Sequence, residues 1–320
     1  LWTGLLLSTL TPQIAFAESA TPEYQAPETR GGEERNASVR MARATWDTGW
    51  FQAEIYKQLL EALGYSVEGP STMSTWGFYQ AASKGRMDLW VNGWLPSHET
   101  YMAGLADPSQ LEVIGDVVKA GALQGYLIDE KTARAHGIQK LSDLSDPAIA
   151  ALFDRDGNGK ADLVGCDVGW GCADLITHHL EAYALTQTVE QIQGDYSPLM
   201  ADVVERHRAG EPVLYYTWTP NWTVGTLKPG KDVRWLQVPF ASLPAAQKGF
   251  ESQINIPHVP GCLSSPCALG FPPNDIRAVA NRTFLDTHPD IRHLLDLVAI
   301  PLADISRQNA RMIAGEDSFK

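Results

Sequence analysis

Residues 39–67 read VRMARATWDTGWFQAEIYKQLLEALGYSV, and this stretch decides the fold. Val39–Ala44 is a short strand-like segment. A helix follows, because Phe51, Ile55, Leu59 and Leu63 recur at helical spacing and Gly64 is placed to end it. Tyr65-Ser66-Val67 resumes as strand. The pattern then repeats: Phe78–Ser83 reads as a short helix ended near Gly85, and Asp88–Asn92 as an apolar strand. A β-α-β-α-β rhythm predicts an α/β lobe built on a largely parallel sheet.

Further along, Gly121–Ile128 (GALQGYLI) reads as a strand able to cross to a second lobe. Leu141–Phe153 resembles a short helix. Helices are expected over Ala173–Leu185 and Ser197–Arg208, the latter ended by Gly210. Val213–Tyr216 is a compact apolar strand carrying Trp218 at its C-terminal end. Trp235–Val238 is another strand, Ile276–Ala280 begins a returning β-α unit, and Ile291–Leu297 is helical.

At 320 residues the chain exceeds the usual size of a single core, so two lobes are expected. Its net charge of −13 argues against nucleic acid as a partner and against anionic membrane surfaces. Leu1–Leu10 is a short apolar run followed by Ala15-Phe16-Ala17, a small-x-small cleavage pattern. Residues 1–17 therefore read as the remnant of a signal peptide, too short to span a bilayer. Residues 18–37 are rich in Glu, Pro, Gly and Thr and poor in apolar residues, and are expected to be a disordered linker. Asn36-Ala37-Ser38 fits a glycosylation sequon by pattern only.

Three of the ten tryptophans stand in short motifs of their own: Trp94 in VNGWLPSH, Trp170 in GCDVGWGC and Trp218 in LYYTWTPNW. Each lies by an apolar segment with Gly or Pro close behind, the kind of position where binding residues gather. Trp90 and Trp235 read instead as buried strand residues. Indole faces attract cations. His98, and the backbone N–H groups of Gly171 and Cys172 at the start of an expected helix, suit an anion. A site joining these would hold a small zwitterion such as a betaine, although core packing is the plainer reading of any single tryptophan.

The four cysteines fall into two close pairs, Cys166 with Cys172 and Cys262 with Cys267. In an exported protein two disulfides are expected. A zinc site is the alternative, but neither pair has CxxC spacing and no His cluster accompanies them. Asp154, Asp156, Asn158, Lys160 and Asp162 fall at the alternate positions of a calcium loop, with glycines for the turn. Gly165 stands where the bidentate Glu of the twelfth position belongs, so a plain Asx/Gly turn competes with a structural calcium. No other cofactor is expected. Asp174 and His178, four apart on a helix, read as a solvated face rather than a metal pair. Sequence signatures of hydrolases, zinc proteases, P-loop and dinucleotide-binding proteins do not occur, which leans away from an enzyme.

The segments GWLPSHETYM, GALQGYLIDEKTA, LFDRDGNGKADLVGCDVGWGC, VLYYTWTPNW, LKPGKDVRWLQVPF and PLADISRQNA resemble the ProX-type glycine betaine/proline betaine binding proteins of osmoprotectant ABC importers, over nearly everything from Val39 to Met312. The resemblance implies a two-lobed, type II periplasmic binding protein fold with a ligand cleft between the lobes. Residues 39–125 and 241–320 would form lobe A, and 126–240 lobe B. It further implies a three-tryptophan box at Trp94, Trp170 and Trp218 for a trimethylammonium. His98 and the amides of Gly171 and Cys172 would take the carboxylate, and a bridge would join Cys166 to Cys172. The implied protein is a monomeric periplasmic receptor that serves an inner-membrane permease. The Cys262–Cys267 segment departs from the family pattern. So does ARATWDTGWF, whose Trp46 and Trp50 add aromatics near the first lobe's cleft. A receptor for another solute (choline, dimethylsulfoniopropionate or an amino acid) and a secreted enzyme using His98 and Asp174 are the rival readings.

Overall fold

The computed structural model describes residues 38–316. The expected signal segment, the expected linker and Asn36 of the sequon lie outside them. Twelve strands are described: β1 (Ser38–Arg43), β2 (Ser66–Thr72), β3 (Leu89–Leu95), β4 (Leu111–Ala122), β5 (Gln124–Asp129), β6 (Ala161–Val164), β7 (Val189–Ile192), β8 (Leu214–Trp218), β9 (Val233–Leu236), β10 (Asn255–Ile256), β11 (Cys267–Ala268) and β12 (Asn274–Asn281). Ten of them build two five-stranded sheets, ordered β2-β1-β3-β12-β4 and β7-β6-β8-β5-β9. The two orders match when β5, the first strand of its sheet in the chain, is counted last. In each sheet the fourth strand, β12 or β5, runs antiparallel to both neighbours, while β1 with β2 and β3, and β6 with β7 and β8, pair parallel. The rhythm of residues 39–92 thus gave the parallel part and carried no sign of the reversed strand, which returns from some 180 residues away.

The segment read as one strand over Gly121–Ile128 is two. β4 ends at Ala122 in the first sheet, and β5 starts at Gln124 in the second. The chain rejoins the first sheet at Asn274, whose cross-strand partner is Ala122. Between β9 and β12 the chain stays against the second sheet: Val238 N–H donates to Ala268, Trp235 N–H to Gly261, and Leu269 N–H to Ile254. The turn of 3₁₀ helix at Ala245–Ile254 also reaches across to the first lobe, through Gln247 Nε2 to the Ser97 carbonyl. Both disulfides are formed, with Cα–Cα separations of 6.1 Å in Cys166–Cys172 and 6.1 Å in Cys262–Cys267.

The helix Trp50–Ala62 is where expected, but its buried face is turned. Gln52, Ala53, Tyr56 and Leu60 are inside, while Phe51, Ile55 and Leu59 are half-buried and Leu63 is exposed. The inner face tolerates polar groups because they find partners. Tyr56 Oη donates to the Val298 carbonyl, and Gln52 accepts from Asn92. Gly64 ends the helix at φ +94°, in the left-handed region that favours glycine. β3 is apolar apart from Asn92 and buried at every residue from Leu89 to Trp94, as expected of a central strand covered on both faces. Among the described residues no helix is long and apolar enough to cross a membrane.

Candidate ligand-binding site

Side chains from both sheets line one cavity: Trp46, Trp94, Ser97, His98, Gln124, Trp170, Gly171, Cys172, Tyr216 and Trp218. The cavity is narrow, about 40 Å³ in volume. The parallel strands deliver these residues. Trp46 follows β1, and Ser97 and His98 follow β3. Trp170 and Gly171 follow β6, and Trp218 closes β8. Ligands gather at such strand ends in open α/β sheets. The three tryptophans singled out in the sequence share this cavity with His98, Gly171 and Cys172. Trp94 differs from its expected place, since it lies within β3 rather than in a loop beyond it.

The indoles form a connected wall. Trp94 and Trp218 stand at 90° with ring centroids 6.5 Å apart, Trp170 and Trp218 at 77° and 5.7 Å, and Trp46 and Trp170 at 75° and 5.3 Å. Each is buried, at 4–8% exposure. Trp46, flagged in the sequence only as an extra aromatic, is thus a full member. Its Nε1 donates to Asn92 Oδ1 at 2.8 Å, and Trp94 Nε1 donates to the same oxygen at 2.9 Å. Asn92 in turn donates through Nδ2 to Gln52. Gly49 leaves the space for this arrangement. A Cβ there would lie 3.0 Å from Trp46 Nε1 and 3.2 Å from Asn92 Oδ1. Trp50 is not part of the wall. Its Nε1 donates to the Ala44 carbonyl, and the Arg43 guanidinium lies over its ring.

The polar groups of the cavity adjoin the indoles, with the His98 ring 6.4 Å from Trp46 between centroids. His98 Nδ1 lies 3.2 Å from the Trp94 backbone N–H and 3.2 Å from Tyr79 Oη. The Trp94 amide is a donor only, so Nδ1 accepts and the neutral ring carries its proton on Nε2. Burial pushes the His98 pKa down to about 3, so the ring is neutral at ordinary pH. Tyr79 is buried, and desolvation holds its hydroxyl protonated. Trp170 caps the helix Gly171–Ala182 with no side-chain hydrogen bond to its first turn, and Gly171 and Cys172 open that helix at the cavity. Unsatisfied N–H groups at a helix start attract anions. The Cys166–Cys172 disulfide ties this turn to the end of β6.

Three lining residues stand inside quoted segments without being singled out there: Ser97 in VNGWLPSH, Gln124 in GALQGYLI and Tyr216 in LYYTWTPNW. Tyr216 Oη donates to Gln124 Oε1 at 2.5 Å, and Gln124 Nε2 donates to Ser97 Oγ at 3.2 Å. This chain joins the two lobes behind the indoles. Further bonds cross the same gap. Trp170 Nε1 donates to Thr45 Oγ1 at 2.8 Å, Tyr101 Oη to the Gly169 carbonyl at 3.1 Å, and Ser197 Oγ to Asp47 at 2.7 Å. The expected solvated face of the following helix is partly engaged, since His178 Nε2 lies 2.9 Å from Ser242 Oγ.

Residues 37–318 match a protein family described as the substrate binding domain of ABC-type glycine betaine transport systems. The chain belongs to this family. It is 39% identical over 304 residues to the glycine betaine/proline betaine-binding periplasmic protein of Salmonella typhimurium, covering 95% of this chain and 88% of that one. It is also 39% identical over 284 residues to the glycine betaine-binding periplasmic protein OusX of Dickeya dadantii, covering 89% of this chain and 82% of that one. Among solved structures, the ProX protein of Borrelia burgdorferi superposes with a TM-score of 0.67 at 17% identity, covering 88% of this chain and 89% of that one. Lactococcal OpuAC, in a closed complex with glycine betaine, gives 0.66 at 15% identity, covering 88% of this chain and 92% of that one. The family's fold is that of the two-lobed periplasmic binding proteins, and the two matched sheets described above are its lobes.

Proposed function

We propose that this protein is a periplasmic receptor that holds a betaine in the cavity between its lobes and presents it, as a monomer, to an ABC permease for import. The observation that carries the reading is the convergence of Trp46, Trp94, Trp170 and Trp218 on one cavity that also holds His98 and the start of the helix Gly171–Ala182. A cation held against an indole face lies within about 6 Å of the ring centroid. Each such contact is worth roughly 0.5–2 kcal/mol, and hydrogen bonds to a charged group roughly 1.5–3 kcal/mol. Micromolar affinity needs about 8 kcal/mol, so three indoles and three donors suffice.

The polarity of the site favours a zwitterion over a bare cation. Choline offers His98 Nε2–H and two helix-start amides only one neutral hydroxyl oxygen, whereas a carboxylate offers them two charged ones. An enzyme would need a group able to take or give a proton. His98, held neutral by burial, is fitted to donate a hydrogen bond instead.

Calorimetric titration of glycine betaine, proline betaine and choline into the protein tests the reading. Binding of the betaines should be weakened at least tenfold in Trp170→Ala and in Trp218→Ala. Unchanged affinity in both folded variants would remove the cage.

A further inference from the structure

The calcium-like loop lacks its twelfth-position carboxylate in sequence, but the fold supplies one from elsewhere. β6 and β7 are parallel neighbours, and Asp162 on β6 is the register partner of Glu190 on β7. One carboxylate oxygen from each of Asp156, Asp162 and Glu190 falls within a common 4.8 Å. Oxygens on opposite sides of a calcium ion lie about 4.6–5.2 Å apart, from ligand distances of about 2.3–2.6 Å. The three acids therefore fit within one calcium shell.

Like charges placed opposite one another on neighbouring strands are destabilising. Among the described residues, no Lys or Arg is ion-paired with Asp154, Asp156, Asp162 or Glu190. Arg155 reaches instead to Asp202, and Lys160 Nζ donates to the Thr186 carbonyl. The Asn158 amide donates to Asp156 and Glu190. Asp162 is the telling member. The residue is 7% exposed, its Oδ2 accepts the Arg155 N–H at 3.0 Å, and its Oδ1 has no hydrogen-bond partner. A buried carboxylate oxygen without a partner is costly. Here its group stands among further carboxylates, where a divalent cation would satisfy it. The donors are hard oxygens throughout, which suits calcium and not zinc or copper.

We propose that Asp154, Asp156, Asn158 and the Lys160 carbonyl, with Asp162 and Glu190, form a structural calcium site. In it Glu190 of the adjacent strand takes the place of the missing loop carboxylate. The ion would pin the loop and β7 to the start of β6, the strand whose far end runs into Cys166 and the turn carrying Trp170. The site is separate from the cavity and does not depend on what the cavity holds.

The test uses the full chain dialysed against EDTA, titrated with Ca2+ and, in parallel, with Mg2+, and melted with and without each. Ca2+ should bind at one site and raise the melting temperature by several degrees, with a smaller response to Mg2+. Glu190→Gln and the exposed Asp156→Asn should each weaken Ca2+ binding at least tenfold. Glu190→Gln should also raise the melting temperature of the calcium-free protein, because it removes a like-charge contact. Near-UV circular dichroism checks that each variant is folded. Absence of Ca2+ heat together with an unchanged melting temperature would overturn the site. Equal Ca2+ affinity in folded Glu190→Gln would overturn the role of Glu190.

Discussion

The two walls of the cavity are held by different means. On the first lobe, Trp46 and Trp94 both donate to Asn92 Oδ1, and Asn92 is itself tied to Gln52. On the second lobe, Trp218 has no hydrogen-bond partner for its Nε1. It is fixed by rings: Tyr196 at 4.5 Å between centroids, Trp170 at 5.7 Å and Tyr216 at 6.1 Å. Trp170 lies between these cases, since its one hydrogen bond goes to Thr45 on the opposite lobe. The first wall is set by bonds inside its own lobe. The second is set by packing and by contact between lobes. Half of this site is therefore fixed within one lobe, and half depends on contact between the lobes.

That contrast can be broken. Asn92→Leu strips two indole N–H groups and Gln52 of their shared partner, at about 1–3 kcal/mol for each buried group left unpaired. Betaine affinity should fall at least tenfold and the melting temperature should drop. Trp218→Phe removes an N–H that has no partner, and should leave the melting temperature far closer to wild type. Similar melting losses in the two would erase the distinction.

His98→Ala removes a polar group from the cavity lining. Betaine affinity should fall about tenfold, with a smaller loss for choline, and equal losses would reverse the assigned polarity. Thr45→Val touches only the bond made across the gap. Its effect should be about threefold on affinity, from a net hydrogen-bond contribution of roughly 0.5–1.5 kcal/mol, and should appear in the dissociation rate. A change confined to association would place Trp170 with the rigid wall.

The smallest effect expected is on affinity with pH. His98 is neutral down to about 3, so betaine binding should be flat from pH 8 to pH 5. Stability behaves otherwise. His98 and His179 are both depressed to about 3 by burial. Below pH 6.5 the unfolded chain therefore takes up protons that the folded chain refuses. Stability is full above 6.5 and declines toward 3, by at most about 1.4 kcal/mol per pH unit for each histidine. Thermal melts at pH 7.5 and pH 5 should show the fall, and affinity that titrates near 6.5 would mean His98 is exposed to protons.

Much of this molecule could be read from its residues. β1 to β3, and the tryptophans in their motifs, carried local signals: apolar runs, helical spacing, Gly and Pro at the ends. The reversed strands could not be read, because β12 joins the first sheet through pairing with residues about 180 positions away. β6 and β7 have four residues each, too few to show a period. At the site, Trp46 could be noticed but not placed. Gln124, Ser97 and Tyr216 lay in quoted segments but could not be singled out, since their role comes from a chain of hydrogen bonds between distant segments. Glu190 is the sharpest case. Its relation to Asp162 exists only in the register of two parallel strands.

Ala122 and Asn274 sit side by side where the chain departs for the second sheet and comes home. The whole stretch between them is therefore an inset hung from two adjacent pins. The two crossings, side by side, are the backbone links between the lobes among the described residues. Their adjacency means that a tight hairpin joining those two residues would yield the first lobe as a miniature protein, half a binding site standing open.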